Sequence, residues 1–162
     1  VYFRNNKNTL FIGSPINEIY KNRLGYTEKE VWDICIKASI RYPNLIYNIK
    51  YLLHPGQKKP SYVKKKFIIK NIKNNFFYGQ IIGIFSSYLT EAYLQGKKVI
   101  SIQPKINRED KWIISRFYKE RTVKDYKQLI KALKIRSKNK DYLSKDLFKS
   151  TSRFIELIRQ YF

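Results

Sequence analysis

The sequence predicts an α/β domain built on a parallel sheet flanked by helices. Three observations carry that expectation: short apolar runs closed by Gly, Pro or Ser turns, helical segments alternating with them, and a size suited to one core. The chain has 162 residues, of which 43% are hydrophobic and 16% aromatic, enough to bury a core and to exclude global disorder. Residues 1–162 read as one domain, with the sheet within 1–104 and a mainly helical third over 105–162.

Thr9-Leu10-Phe11-Ile12-Gly13 is an apolar run closed by Gly13-Ser14-Pro15, and so reads as a buried strand ending in a turn. Thr27-Glu28-Lys29-Glu30 predicts a helix start, because Thr27 can cap and Glu30 can reach back to it. Val31, Trp32, Ile34, Cys35, Ala38 and Ile40 supply its apolar positions, and Tyr42-Pro43-Asn44 stops it. Ile49 to Leu53 reads as a strand ended by His54-Pro55-Gly56. Gln57 to Lys66 carries five lysines, a proline and no carboxylate, the composition of an exposed basic loop.

Phe67-Ile68-Ile69 reads as a short strand. Ile81-Ile82-Gly83-Ile84-Phe85 is the clearest buried strand, followed by Ser86-Ser87 and a helix over about 88–95 that Gly96 ends as a C-cap. Lys98 to Ile102 is a further strand, stopped by Gln103-Pro104. Beyond it lie helical stretches over 109–118 and 123–133, and a last helix over 144–161 carrying Leu147, Phe148, Phe154, Ile155 and Ile158.

Composition limits the function classes. A net charge of +22 implies a polyanionic neighbour: nucleic acid, nucleotide phosphate or an anionic membrane face. Lysine (25) far outnumbers arginine (9), alongside many Ile, Asn, Tyr and Phe, so part of the excess reflects A/T-rich coding. The same bias argues against base-specific readout, which favours arginine, and no zinc-finger, RNP or KH pattern is present. One cysteine, Cys35, excludes an intrachain disulfide framework, and one histidine, His54, excludes a His-rich metal site. No apolar run reaches the roughly 20 residues of a membrane span. A chain opening Val1-Tyr2-Phe3 with no methionine is expected to be a piece of a longer protein.

Ligands of open parallel sheets bind at the carboxyl ends of the strands. Three such ends carry special residues: Gly13-Ser14, His54-Pro55-Gly56 and Ser86-Ser87. Ser86 and Ser87 precede a helix, where hydroxyls and free N–H groups favour an anion, although such serines more often serve as plain caps. His54, fixed by Pro55, can offer a charged hydrogen bond or a proton to a phosphate oxygen, although a lone His before Pro is more often a turn residue. Their occurrence at successive strand ends favours the joint reading. Lys58, Lys59 and Lys64–Lys66 add positive potential, and Glu91, one turn into the helix, is a further pocket candidate.

This order of motifs, strand–His-Pro followed some thirty residues later by strand–Ser-Ser–helix, resembles the C-terminal donor-binding half of bacterial sialyltransferases of the lipooligosaccharide and polysialic-acid type. The likeness spans residues 9–104 and is strongest from Ile82 to Pro104, whose strand, paired serines and Glu-Ala helix occur more loosely in sugar-nucleotide epimerases. It implies a Rossmann-like fold, the C-terminal half of a GT-B glycosyltransferase, and metal-independent transfer of sialic acid from CMP-sialic acid to a glycan or glycolipid acceptor. No cofactor or metal is implied, which fits the absence of an Asp-x-Asp motif.

By the resemblance, His54 acts catalytically on the donor phosphate. Pro55 shapes its loop, and Ser86 and Ser87 bind the phosphate; the strand-end turns themselves, apart from the resemblance, make Gly56, Gly13 and Ser14 nucleotide-binding candidates, with Glu91 either a further pocket residue or a surface carboxylate. The family's acidic Asp/Glu-Asp/Glu-Gly base motif is absent, which implies an N-terminal acceptor domain outside this chain. Residues 57–86 hold no carboxylate for the ribose. The implied setting is the bacterial cytoplasm, with peripheral contact on the inner membrane face. A UDP-sugar transferase or epimerase domain is one alternative, and a basic module for nucleic acid or anionic lipid is another.

Overall fold

A computed structural model describes residues 7–16, 24–70, 78–105 and 122–135. Within them lie six strands: β1 (Asn8–Ile12), β2 (Tyr47–Leu52), β3 (Ile68–Ile69), β4 (Gln80–Gly83), β5 (Lys98–Ile102) and β6 (Thr122–Val123). They form one sheet in the order β3-β2-β1-β4-β5-β6, and every neighbouring pair is parallel. This is the strand order of a doubly wound Rossmann-like sheet, whose direction of winding reverses between β1 and β4.

Side chains alternate across the strands and divide the core into two layers. Leu10, Ile12, Ile81 and Val99 pack on one face with Leu89, Ala92 and Tyr93 of the helix α2 (Ser87–Leu94). Phe11, Tyr51, Ile82, Ile100 and Ile102 pack on the other face. There they meet Val31, Trp32, Cys35 and Ala38 of α1 (Glu28–Arg41) and Leu129 and Leu133 of α3 (Tyr126–Lys134). Phe11, Trp32 and Tyr51 stand 5.3 Å apart pairwise between ring centroids, which locks α1 onto β1 and β2.

The local chemistry of the caps explains where the helices begin and end. Thr27 and Glu30 form the reciprocal capping box at the start of α1: the Glu30 N–H donates to Thr27 Oγ1 at 3.2 Å, and the Thr27 N–H donates to Glu30 Oε2 at 2.6 Å. After α2 the Lys97 N–H reaches the Ala92 carbonyl and the Gly96 N–H the Tyr93 carbonyl, a Schellman end that needs the positive φ of Gly96 (78°). Ile40 is not an apolar contact of α1. It stands nine residues, about 180° of helix, beyond Val31, and is 76% exposed.

Further element boundaries differ from the sequence expectation. Phe67 closes a 3-10 turn (Lys65–Phe67), so the strand there is only Ile68–Ile69. Ile84 and Phe85 lie beyond β4, because the Ile84 carbonyl turns to accept from the side chains of Ser101 and Gln103. The strand β2 starts at Tyr47, with Asn48 in the left-handed region (φ 43°) at a register shift against β1, a conformation asparagine tolerates. Val123 does not begin a helix. Thr122-Val123 is an edge strand whose Val123 carbonyl accepts from the Gln103 N–H, and α3 starts after Asp125, whose carboxylate caps the Gln128 N–H at 2.8 Å. The sheet is therefore not confined to residues 1–104, and the stretch after 104 is not purely helical. The helices expected over 109–118 and 144–161 lie outside the described residues.

Candidate functional site

The sheet order sets the three candidate turns side by side. β1 pairs with β2 through Ile12 and Leu52, and with β4 through Phe11 and Ile82, so Gly13-Ser14 emerges between His54-Pro55-Gly56 and Ser86-Ser87. Two strand spacings, about 10 Å, separate the β2 and β4 ends across β1. The reversal of winding lies between β1 and β4, the place where such sheets open a crevice for ligands.

His54 to Gln57 is a type II turn. Pro55 fixes the first central position, Gly56 supplies the positive φ (79°) of the second, and the Gln57 N–H closes the turn on the His54 carbonyl at 2.9 Å. The exposed His54 ring approaches the Pro55 carbonyl through Nδ1 at 2.7 Å. A carbonyl only accepts, so Nδ1 carries the proton in this bond and Nε2 is the nitrogen left for a ligand.

Ser86 caps α2, its Oγ accepting from the Tyr88 N–H at 3.2 Å. Ser87 occupies the exposed first helical position, and its hydroxyl bonds to no described residue. The turn before them is held from below by the buried side chains of Ser101 and Gln103, which meet the Ile84 carbonyl and each other (Gln103 Nε2 to Ser101 Oγ, 2.9 Å). Glu91 lies further along α2, exposed, and accepts from Gln95 Nε2 at 3.2 Å, toward the C-terminal end of the helix.

The Gly13-Ser14 turn and the His-Pro turn are joined by a group the sequence reading used only as a first-turn helix residue. Glu28, 2% exposed, accepts from the Ser14 N–H on Oε1 and from Tyr62 Oη and Gln57 Nε2 (2.9 Å) on Oε2. Gln57 also donates to Tyr51 Oη at 3.1 Å and accepts from the His54 N–H at 3.1 Å. Burial pushes the Glu28 carboxyl above its ordinary value, outweighing the hydrogen bonds from Tyr62, Ser14, Tyr51 and Gln57 that pull it down. A Cβ at Gly13 would stand 2.7 Å from Gln57 Oε1 and from the Leu52 carbonyl, so only glycine lets the β1 turn lie against this network.

Ser14, Glu28 and Gln57 also line a cleft of about 200 Å³ with the loop residues Lys58, Lys59 and Tyr62. Of the candidate residues only Ser14 borders this cleft; His54, Pro55, Gly56, Gly13, Ser86, Ser87 and Glu91 lie outside it. Among the described residues no group of three His, Cys, Asp or Glu side chains is placed to hold a metal ion, and no helix is long and apolar enough to cross a membrane. No protein-family model, curated protein or solved structure matches the chain.

Proposed function

We propose that this chain is the nucleotide-sugar-binding domain of a sialyltransferase-like glycosyltransferase, the donor half of a GT-B enzyme. One observation carries the reading: the His-Pro and Ser-Ser turns issue from the two strands that flank β1, on the carboxyl edge of a sheet with the 3-2-1-4-5-6 order. A nucleotide phosphate lying over the end of β1 would meet His54 Nε2 on one side, the ring donating from Nε2 only when it carries a proton there as well as on Nδ1. On the other it would meet the Ser87 hydroxyl and the N-terminus of α2, whose dipole favours negative charge. These groups would stabilise charge on the phosphate as it leaves the sugar, an electrostatic role that requires no group to be covalently altered. The base that activates the acceptor hydroxyl would come from outside this chain.

Calorimetry with CMP tests the reading. CMP should bind, and His54→Ala, or Ser86→Ala with Ser87→Ala, should weaken binding by roughly tenfold, since charge-assisted hydrogen bonds are worth about 1.5–3 kcal/mol. A folded chain that ignores CMP but binds UDP would move the reading to UDP-sugars, and one that ignores both would remove it. The exposed Lys58, Lys59, Lys64, Lys65 and Lys66 support peripheral docking on an anionic membrane, measurable as salt-sensitive sedimentation with acidic vesicles.

A further inference from the structure

The basic loop after β2 rests with both feet on one buried carboxyl. Gln57 Nε2 and Tyr62 Oη both donate to Glu28 Oε2, and the residues between these feet, 58–61, line the cleft that Glu28 also borders. The groups that face Glu28 are neutral. Ser14 donates its N–H from the β1 turn, Gln57 and Tyr62 donate from the loop, and the Tyr51 hydroxyl of β2 stands behind Gln57. On α1 itself, Lys29 is paired with Asp33 and Glu30 is held by the Thr27 cap. Among the described residues no cation forms an ion pair with Glu28, the exposed Lys58 and Lys59 of the cleft included.

A buried charge held only by neutral donors is costly, so covering Glu28 favours its protonated form. Burial accordingly pushes this carboxyl above its ordinary range. The seat accommodates the proton: Ser14 and Gln57 offer only N–H groups, but the Tyr62 hydroxyl can also accept, and so can take the carboxyl proton in a reversed bond. Lifting the loop opens the carboxyl to water and to Lys58 and Lys59, which favours ionisation. Closure and protonation are therefore linked. We propose that residues 57–62 are a pH-sensitive strap, seated while Glu28 is protonated and released as Glu28 ionises, with Gln57 passing the release to His54. Gln57 is placed to do so: its Oε1 accepts the His54 N–H at 3.1 Å, and its own N–H closes the His54 turn. The strap needs no ligand; only its effect on CMP rests on the proposed function.

Amide hydrogen exchange of the chain from acid to neutral pH, corrected for intrinsic rates, tests the strap, and the Glu28 carboxyl carbon shift reads ionisation in the same samples. Protection of the His54, Gln57 and Val63 amides, all hydrogen-bonded within residues 54–63, should fall several-fold as Glu28 ionises, while Gly96 at the end of α2 stays constant. Glu28→Gln should abolish the change. His54→Ala should leave it at Gln57 and Val63, because the imidazole is not its source. Tyr62→Phe removes one foot and should lower Val63 protection at acid pH. Where CMP binds, its affinity should fall several-fold over the same interval in wild type and not in Glu28→Gln. Protection that holds steady or rises through the Glu28 titration, that still falls in Glu28→Gln, or that is unchanged in Tyr62→Phe overturns the strap. A wild-type CMP affinity that tracks Glu28→Gln at every pH overturns the relay to His54. Strap titration in a chain that binds no CMP supports the strap and removes the proposed function; CMP binding with steady protection does the reverse.

Discussion

Replacing Glu28 with alanine tests how the two turns are held. The carboxylate accepts from the buried Ser14 N–H, from Gln57 and from Tyr62, so Glu28→Ala removes three acceptor contacts at once. A buried N–H left unsatisfied costs about 1–3 kcal/mol, and the half-buried Gln57 and Tyr62 donors, which water can reach, about 0.5–1 kcal/mol each. Relief of the desolvated carboxylate offsets part of this. The expected loss is roughly 2–4 kcal/mol, a large share of the 5–15 kcal/mol typical of a domain. Urea unfolding at neutral pH reads it directly. The same change frees Gln57 from its anchor and loosens the His54 turn, so CMP binding should weaken several-fold although Glu28 touches no nucleotide in the proposed arrangement. Glu28→Gln keeps an acceptor for Ser14 and should fall between wild type and alanine. A Glu28→Ala chain within about 0.5 kcal/mol of wild type would refute the reasoning.

The other expectations are local. Gly13→Ala should destabilise by about 1–3 kcal/mol, because its Cβ meets the Leu52 carbonyl, which cannot swing aside; Gly56→Ala should cost about 1–2 kcal/mol through its φ of 79° alone, having open space for the methyl. Ser86→Ala should lose about 1 kcal/mol of stability as a lost helix cap while Ser87→Ala loses almost none, so urea curves separate capping from any shared effect on CMP. Glu28 gives a pH signature. Its carboxyl is held above 4.5, so the folded chain keeps that proton more tightly than the unfolded one. Its contribution is complete below about pH 4.5 and is lost as pH rises through the raised folded value. The stability of wild type relative to Glu28→Gln should therefore fall over that window; a rising difference would show that hydrogen bonding, not burial, governs the group.

Local chemistry was the legible part of this protein. The capping box at Thr27 and Glu30, the Schellman end at Gly96 and the Pro55-Gly56 turn each follow from a few adjacent residues, and each is present. The parallel α/β class followed from alternation, but the order of strands did not, because pairing between β1 and β4 joins residues some seventy apart in the chain. The edge strand Thr122-Val123 is too short to leave a pattern.

Glu28 was hidden for a related reason. Its partners Ser14, Gln57 and Tyr62 lie 14, 29 and 34 residues away, and a glutamate in a first helical turn is ordinarily explained by the helix dipole. Gln80 is similar: its amide donates to the Lys7 and Leu45 carbonyls at the opposite end of the sheet, at 3.0 and 2.8 Å, which no local pattern announces. The candidate turns were legible as turns. Their juxtaposition was not.

That juxtaposition is the central claim, and amide shifts on CMP titration test it most directly. Binding across the strand ends predicts concentrated shifts at Gly13-Ser14, His54 to Gln57 and Ser86 to Leu89, with Lys7, Gln80 and Lys97 at the opposite edge unmoved. Shifts centred on the opposite edge, or spread over the lysine surface and abolished by moderate salt, would contradict it.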